Sequence, residues 1–119
     1  MSKTYNWCQD KTRLYIWDKQ VFVIDQYGNK WWYLNGKRHR ENGPAVEYDD
    51  GRKSWYLDGK RHGVDGPAVE FANGDRFWYL DGKQHRENGP AIEYANGRKW
   101  WYLNGRHYSE SDYWKELKK

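Results

Sequence analysis

Three histidines, His39, His62 and His85, recur at a fixed spacing of 23 residues, and so do three glutamates, Glu47, Glu70 and Glu93. Imidazole and carboxylate side chains are the usual metal donors and the usual acid–base groups, so these are the residues to weigh first. Metal donors must converge to about 2 Å from one ion. Residues one whole repeat apart do not converge: if each repeat supplies two antiparallel strands, equivalent positions lie about 10 Å apart, twice the ~4.8 Å strand spacing. The histidines therefore read as ladder positions rather than ligands. The glutamates read as partners for Lys or Arg on adjoining strands, each cross-strand pair contributing roughly a few tenths of a kcal/mol. The sequence carries no nucleophile–base pair, phosphate-binding loop or metal-ligand spacing. It predicts a non-catalytic protein with no cofactor.

A second periodic set could bind rather than react. Tyr33, Tyr56, Tyr79 and Tyr102 keep the same spacing, with Trp31, Phe77 and Trp100 nearby and Ser54 interrupting the series. Tyr, Trp and Arg are favoured interface anchors, and Arg38, Arg40, Arg61 and Arg86 occupy turn positions beside them. The candidate partner-binding residues are Tyr33, Tyr56, Tyr79, Tyr102, Phe77, Trp100, Arg38, Arg40, Arg61 and Arg86. Two readings of the tyrosine stripe stay open: a recognition face, or a face covered by the N-terminal segment. Arg40 and Arg86 bracket Gly63 in the middle repeat, so this arginine row is broken at its centre. A uniform phosphate comb would not have that gap.

The elements that position these residues follow from the repeat. Trp32, Trp55, Trp78 and Trp101 are spaced by 23, as are Gly36, Gly59, Gly82 and Gly105. Three full units begin at Trp32, Trp55 and Trp78; the first and third agree at 17 of 23 positions, and eleven positions are the same in all three. Chance does not give that. A fourth copy starts at Trp101 and breaks off after His107, and Val21 to Lys30 is a degenerate half-unit. Asn35-Gly36, Asp58-Gly59, Asp81-Gly82 and Asn104-Gly105 are the pairs that tight hairpins prefer, because both central residues need positive φ. Asp50-Gly51, Asn73-Gly74 and Asn96-Gly97 mark a second turn. Asn42-Gly43-Pro44, Asp65-Gly66-Pro67 and Asn88-Gly89-Pro90 mark a third, where proline need not donate to a ladder. Period-two alternation puts each repeat Trp beside a Leu (Trp55 with Leu57, Trp78 with Leu80), and that stripe is the expected core seam, with the tyrosines opposite.

The fold class is therefore all-β: an antiparallel β-hairpin repeat array, a meander sheet with a short C-terminal capping helix. One domain covers 1–119. Capping strands occupy residues 1–30, about three and a half repeats occupy 31–107, and the helix occupies 108–119. Ser109-Glu110-Ser111-Asp112 has the character of a capping box, and Tyr113 and Leu117 lie one helical turn apart. Repeat arrays need such closed ends.

Composition agrees with a folded, aromatic-cored chain. Mean hydropathy is −1.34, which would ordinarily indicate disorder. Nine Trp and eleven Tyr overturn that reading, since each buries a large ring while keeping a polar edge in water. The net charge of +4 is spread thinly: +2 over residues 1–31, +1 over 32–103 and +1 over 104–119. A phosphate-tracking surface concentrates its cations, so the balance argues only weakly for nucleic acid. One cysteine, Cys8, excludes an internal disulfide and suits a reducing compartment. With no apolar run long enough for a membrane span or a leader, the expected location is the cytoplasm.

The run Asp58-Gly59-Lys60-Arg61-His62-Gly63, followed by Phe71-Ala72-Asn73-Gly74, resembles the MORN repeat over about residues 21–107. It departs from that pattern at His39-Arg40 and His85-Arg86, where the family often has His-Gly, and by the inserted Gly-Pro-Ala step. The tryptophan-rich form, with Trp-Tyr-Leu-Asn-Gly, is similar to repeats in phage and large DNA virus proteins. The resemblance implies scaffolding or protein binding and, for a small phage protein in the host cytoplasm, inhibition of a bacterial defence system in the manner of an anti-CRISPR, with a defence nuclease or effector as partner. Two other classes stand beside it: a nucleic-acid or nucleotide binder that uses ring stacking and arginine contacts, and a structural scaffold or antitoxin-like protein.

Overall fold

Each repeat tryptophan joins two layers of hydrogen bonding. The Trp32, Trp55 and Trp78 amides donate to the Ala45, Ala68 and Ala91 carbonyls at 2.6–2.8 Å, while their own carbonyls accept from His39, His62 and His85 at 3.0–3.2 Å. Residues before the Trp therefore pair inward with the next unit, and residues after it pair outward in a local hairpin. In the computed structural model, which describes residues 3–7 by their backbone, 12–63 and 66–119, this gives a central antiparallel sheet flanked by outer hairpins. The sequence expectations for Cys8 and Asp65 lie outside the described residues.

The central sheet runs in chain order from Lys3–Trp7, Thr12–Trp17, Gln20–Ile24 and Lys30–Leu34 through the short strands Val46–Glu47, Lys53–Ser54, Val69–Glu70, Arg76–Phe77 and Ile92–Glu93 to Lys99–Leu103 and Arg106–Tyr108. Tyr56–Leu57 with Lys60–Arg61, and Tyr79–Leu80 with Lys83–Gln84, form separate two-stranded hairpins. The meander and its single C-terminal helix match the expected all-β architecture. Lys53–Ser54 and Tyr56–Leu57 are separate strands, divided at Trp55, because the chain changes pairing partner there.

Turn chemistry explains the hairpins. Asn35, Asp58, Asp81 and Asn104 have φ of 49–52° and the glycines after them 78–81°, the double positive-φ pair of a type I′ turn. The inner strands use a longer turn. At Tyr48 the amide bonds the Arg52 carbonyl and the Gly51 amide returns to the Tyr48 carbonyl, a pattern repeated at Phe71 and Tyr94.

Register produces two rows on opposite faces. Lys30, Glu47, Lys53, Glu70, Arg76, Glu93 and Lys99 stand directly opposite one another on successive strands, alternating in sign at every step. The glutamates are thus neighbours of the cations that the sequence expectation gave them. On the other face run Trp31, Val46, Ser54, Val69, Phe77, Ile92 and Trp100.

The core differs from the expected Trp–Leu seam. Buried side chains among the described residues include Ala45, Val46, Ala68, Val69, Ala91, Ile92 and Tyr113, together with Ser54. The repeat tryptophans are half-buried and Leu80 is exposed. A sheet of two-residue strands is too narrow to enclose an indole. Only small residues beside the ladder are sealed, and the rings become lids that must themselves be covered.

The ends close as repeat physics requires. Phe22 lies 4.8 Å from Trp32, centroid to centroid, and Tyr15 lies 5.6 Å from Phe22, so the N-terminal strands extend the aromatic file. The helix Glu110–Leu117 starts at Ser109, whose side chain accepts from the Asp112 amide at 3.2 Å. It buries Tyr113 against Trp101, and the Tyr113 hydroxyl accepts from the Gly89 amide and donates to the Arg86 carbonyl. Among the described residues no helix is long and apolar enough to cross a membrane.

Candidate functional site

The outer hairpins stack through two sets of contacts. Backbone amides of Gly59, Gly82 and Gly105 donate to the carbonyls of Arg38, Arg61 and Gln84 at 2.8 Å. Each repeat histidine then accepts, at Nδ1, the amide of the following turn: Asp58 to His39, Asp81 to His62 and Asn104 to His85, at 2.9–3.2 Å. An Nδ1 that accepts a hydrogen bond leaves the proton on Nε2. The histidines are therefore staples between neighbouring repeats. Among the described residues no three His, Cys, Asp or Glu side chains converge as a metal cluster would.

On these stacked hairpins the tyrosines and two of the arginines interleave. Tyr56 accepts from Arg38 at 3.5 Å and from Arg61 at 3.3 Å. The Arg38 guanidinium lies 5.4 Å from the Tyr56 ring centre and that of Arg61 5.5 Å from the Tyr79 ring centre. The order across the face is Arg38, Tyr56, Arg61, Tyr79. Partial burial works against the Arg38 charge, but hydrogen bonds with Tyr33 and Tyr56 more than offset it, so its pKa is raised; Arg61 is raised likewise by Tyr56 and Tyr79. Both cations stay charged and held in place. The guanidiniums are exposed at the rim while the rings are half-buried.

No family model matches the chain, and neither does any curated protein or solved structure.

The ten sequence-derived candidates separate into three groups. Tyr33, Tyr56, Tyr79 and Tyr102 with Arg38 and Arg61 lie on the outer hairpins. Phe77 and Trp100 belong to the inner row, where Phe77 meets Phe71 and Tyr94 edge-on at 5.3 and 6.0 Å, and Trp100 is 37% exposed.

Arg40 and Arg86 are a correction. They are not exposed turn cations beside the tyrosines. Each lies 3.8 Å from the centre of its own repeat Trp, Trp32 or Trp78, and donates to the following proline carbonyl, Pro44 or Pro90, at 3.1 Å. Arg86 also meets Glu93 at 3.1 Å, and Arg40 approaches Glu47 at 3.9 Å. These two arginines belong to the fold, on the opposite side of the hairpins.

Sequence reasoning left one feature out. Between the first and middle repeats an open groove of about 850 Å³ has Arg40 and Glu41 on one side and Trp55, Gly66, Pro67 and Glu70 on the other. The available signal was Gly63, which takes the position of Arg40 and Arg86.

Proposed function

We propose that this chain is a non-catalytic binding module for a partner protein, and that the outer hairpins carry the recognition face. The observation behind this reading is the interleaved file of Arg38, Tyr56, Arg61 and Tyr79. Rings and guanidiniums fixed against each other have little rotamer freedom left to lose on binding, which favours affinity. Tyr and Arg are also the side chains that most often anchor interfaces. The resemblance to phage repeats extends the proposal: the partner is a host protein of a bacterial defence system, a nuclease or effector that the module inhibits in the host cytoplasm.

The test uses the full chain as bait in a lysate of a bacterial host, with Tyr56→Ser/Tyr79→Ser as the control bait. Specific retention of one protein by the wild type and not by the control supports the reading. Retention dominated by nucleic acid, with affinity falling steeply as salt rises, would instead favour the stacking nucleic-acid reading.

A further inference from the structure

The loop after the repeat histidine reads Arg-Glu-Asn in the first and third full repeats and Gly-Val-Asp in the second. In the first and third, an arginine eight residues after the Trp stacks on the indole, donates to the proline carbonyl and faces the glutamate. In the second, Gly63 stands at that position, while Trp55, Pro67 and Glu70 are retained. Among the described residues no cation or ring lies on Trp55, nothing donates to the Pro67 carbonyl, and Glu70 has no ion pair. A side-chain carbon built on Gly43 or Gly89 would meet the guanidinium carbon of Arg40 or Arg86 at 3.0 Å; one built on Gly66 meets nothing within 4 Å. Beside Gly66 there is open space, where a guanidinium lies beside Gly43 and Gly89 in the other two repeats.

We infer that the middle repeat is a receptor for an arginine side chain presented by the partner protein, bound as Arg40 and Arg86 are bound within the chain. The inference rests on the protein-binding reading above. Three accepting groups select the occupant. The Trp55 face attracts a flat cation, the Pro67 carbonyl takes an N–H, and Glu70 accepts from a guanidinium. Among the described residues the other charges facing the groove are Glu41, Asp58 and Arg40. With Arg40 already committed to Trp32 and Pro44, three carboxylates against one guanidinium leave the groove acidic. Glu70 also stands opposite Lys53 and Arg76 in the sheet, but Glu47 and Glu93 have the same kind of neighbours and still engage an arginine. The backbone at Gly63 is already packed, since a side-chain carbon there would clash with the Gly66 carbonyl oxygen. The chain cannot fill the groove from this position without moving the loop, so the ligand enters from outside.

The probe is the peptide acetyl-Gly-Arg-Gly-amide, titrated into the full ¹⁵N-labelled chain while the indole N–H of each tryptophan is followed. The expected result is a saturable shift of Trp55 with Trp32 and Trp78 unmoved, and a response to the Lys counterpart weaker by about fivefold or more. Glu70→Gln should weaken the Arg response by a similar factor of roughly fivefold. Gly63→Arg/Val64→Glu/Asp65→Asn, which writes the first repeat's loop into the second, should abolish it. Should that triple variant fail to fold, Glu70→Gln alone decides. An unmoved Trp55, an equal response to Lys, or a Glu70→Gln chain that binds as the wild type does would overturn the inference. Peptide binding with no protein retained from lysate would support the receptor and overturn the protein-binding reading. A partner held equally by the wild type and the folded triple variant would keep that reading and overturn this one.

Discussion

The guanidinium of Arg86 lies 3.8 Å from the centre of the Trp78 ring and meets Glu93 at 3.1 Å, with the arginine side chain only 21% exposed. Among the described residues no aromatic ring or second cation stacks on that indole, so a cation does what an aliphatic side chain does in a conventional core. Such packing suits a chain whose mean hydropathy is −1.34. The arginine stem excludes water, the plane stacks on the ring, and the N–H groups find acceptors.

Arg86→Ala should therefore destabilise the array by about 1–2 kcal/mol, the scale of a partly desolvated cation–π contact plus lost packing. Arg52→Ala should cost less, because Arg52 lies 4.2 Å from the Tyr48 ring centre but is 44% exposed. Urea unfolding of both variants checks the order. Equal midpoints would show that the Trp78 stack adds nothing beyond a surface contact.

The histidine staples make a local statement rather than a global one. His62→Ala removes the acceptor for the Asp81 amide, and losing one such hydrogen bond costs about 1 kcal/mol. Hydrogen exchange should accelerate at the Asp81 amide, with the Asn104 amide on His85 protected as before. Uniform acceleration across all the turns would instead mean that the repeats unfold as a single unit and that the staple has no separate role.

Tyr113 couples the helix to the last full repeat. Its burial raises the phenol pKa above the ordinary value of about 10, although the Gly89 amide and the Arg86 charge act in the opposite direction. A raised folded-state pKa favours the neutral phenol in the native state. The resulting stability is present in full below the unfolded pKa and is lost as pH rises through the folded one. The wild type should thus lose more stability than Tyr113→Phe between pH 9 and 11, while at pH 7 the variant should be weaker by roughly 1 kcal/mol for the missing hydroxyl. Melting both proteins at the two ends of that range gives the comparison. Parallel losses would show that ionisation of Tyr113 is not coupled to unfolding.

The turns and the period were legible because their chemistry is local. Asp58-Gly59 needs only its own φ angles to specify a hairpin, and Ser109 needs only the amide of Asp112 to begin a helix. The side of the sheet that closes was not legible. Alternation assigns Trp55 and Leu57 to one face, but it does not say that a sheet of two-residue strands seals alanine and valine and leaves indoles half-covered. The role of Arg40 and Arg86 depends on a loop that turns the side chain back over a ring eight residues earlier in the chain. Alternation carries no information about such a return. The gap at Gly63 is visible in the sequence; that Gly63 lines one groove with Trp55 and Glu70 depends on the pairing of distant strands.

The recognition face makes the last prediction. Tyr56 receives two guanidiniums and Tyr79 faces one, so replacing both with Ser releases Arg38 and Arg61 and also removes two rings. Loss of binding to a captured partner should be at least about 2 kcal/mol, the scale of a true interface anchor. Because both rings are half-buried, the fold must be followed in the same experiment. The far-UV circular dichroism spectrum has to remain that of the wild type, and the Trp78 indole resonance, on the other side of the hairpins, should stay in place. Arg38→Ala/Arg61→Ala provides a second route that leaves both rings. It should weaken binding as well, since the guanidiniums then no longer fix the rings or contact the partner. A folded tyrosine double variant that binds as tightly as the wild type would remove the outer hairpins from the interface. If only the arginine pair mattered, and its effect vanished at high salt, the face would act by charge alone, and the rings would be scaffolding for two cations.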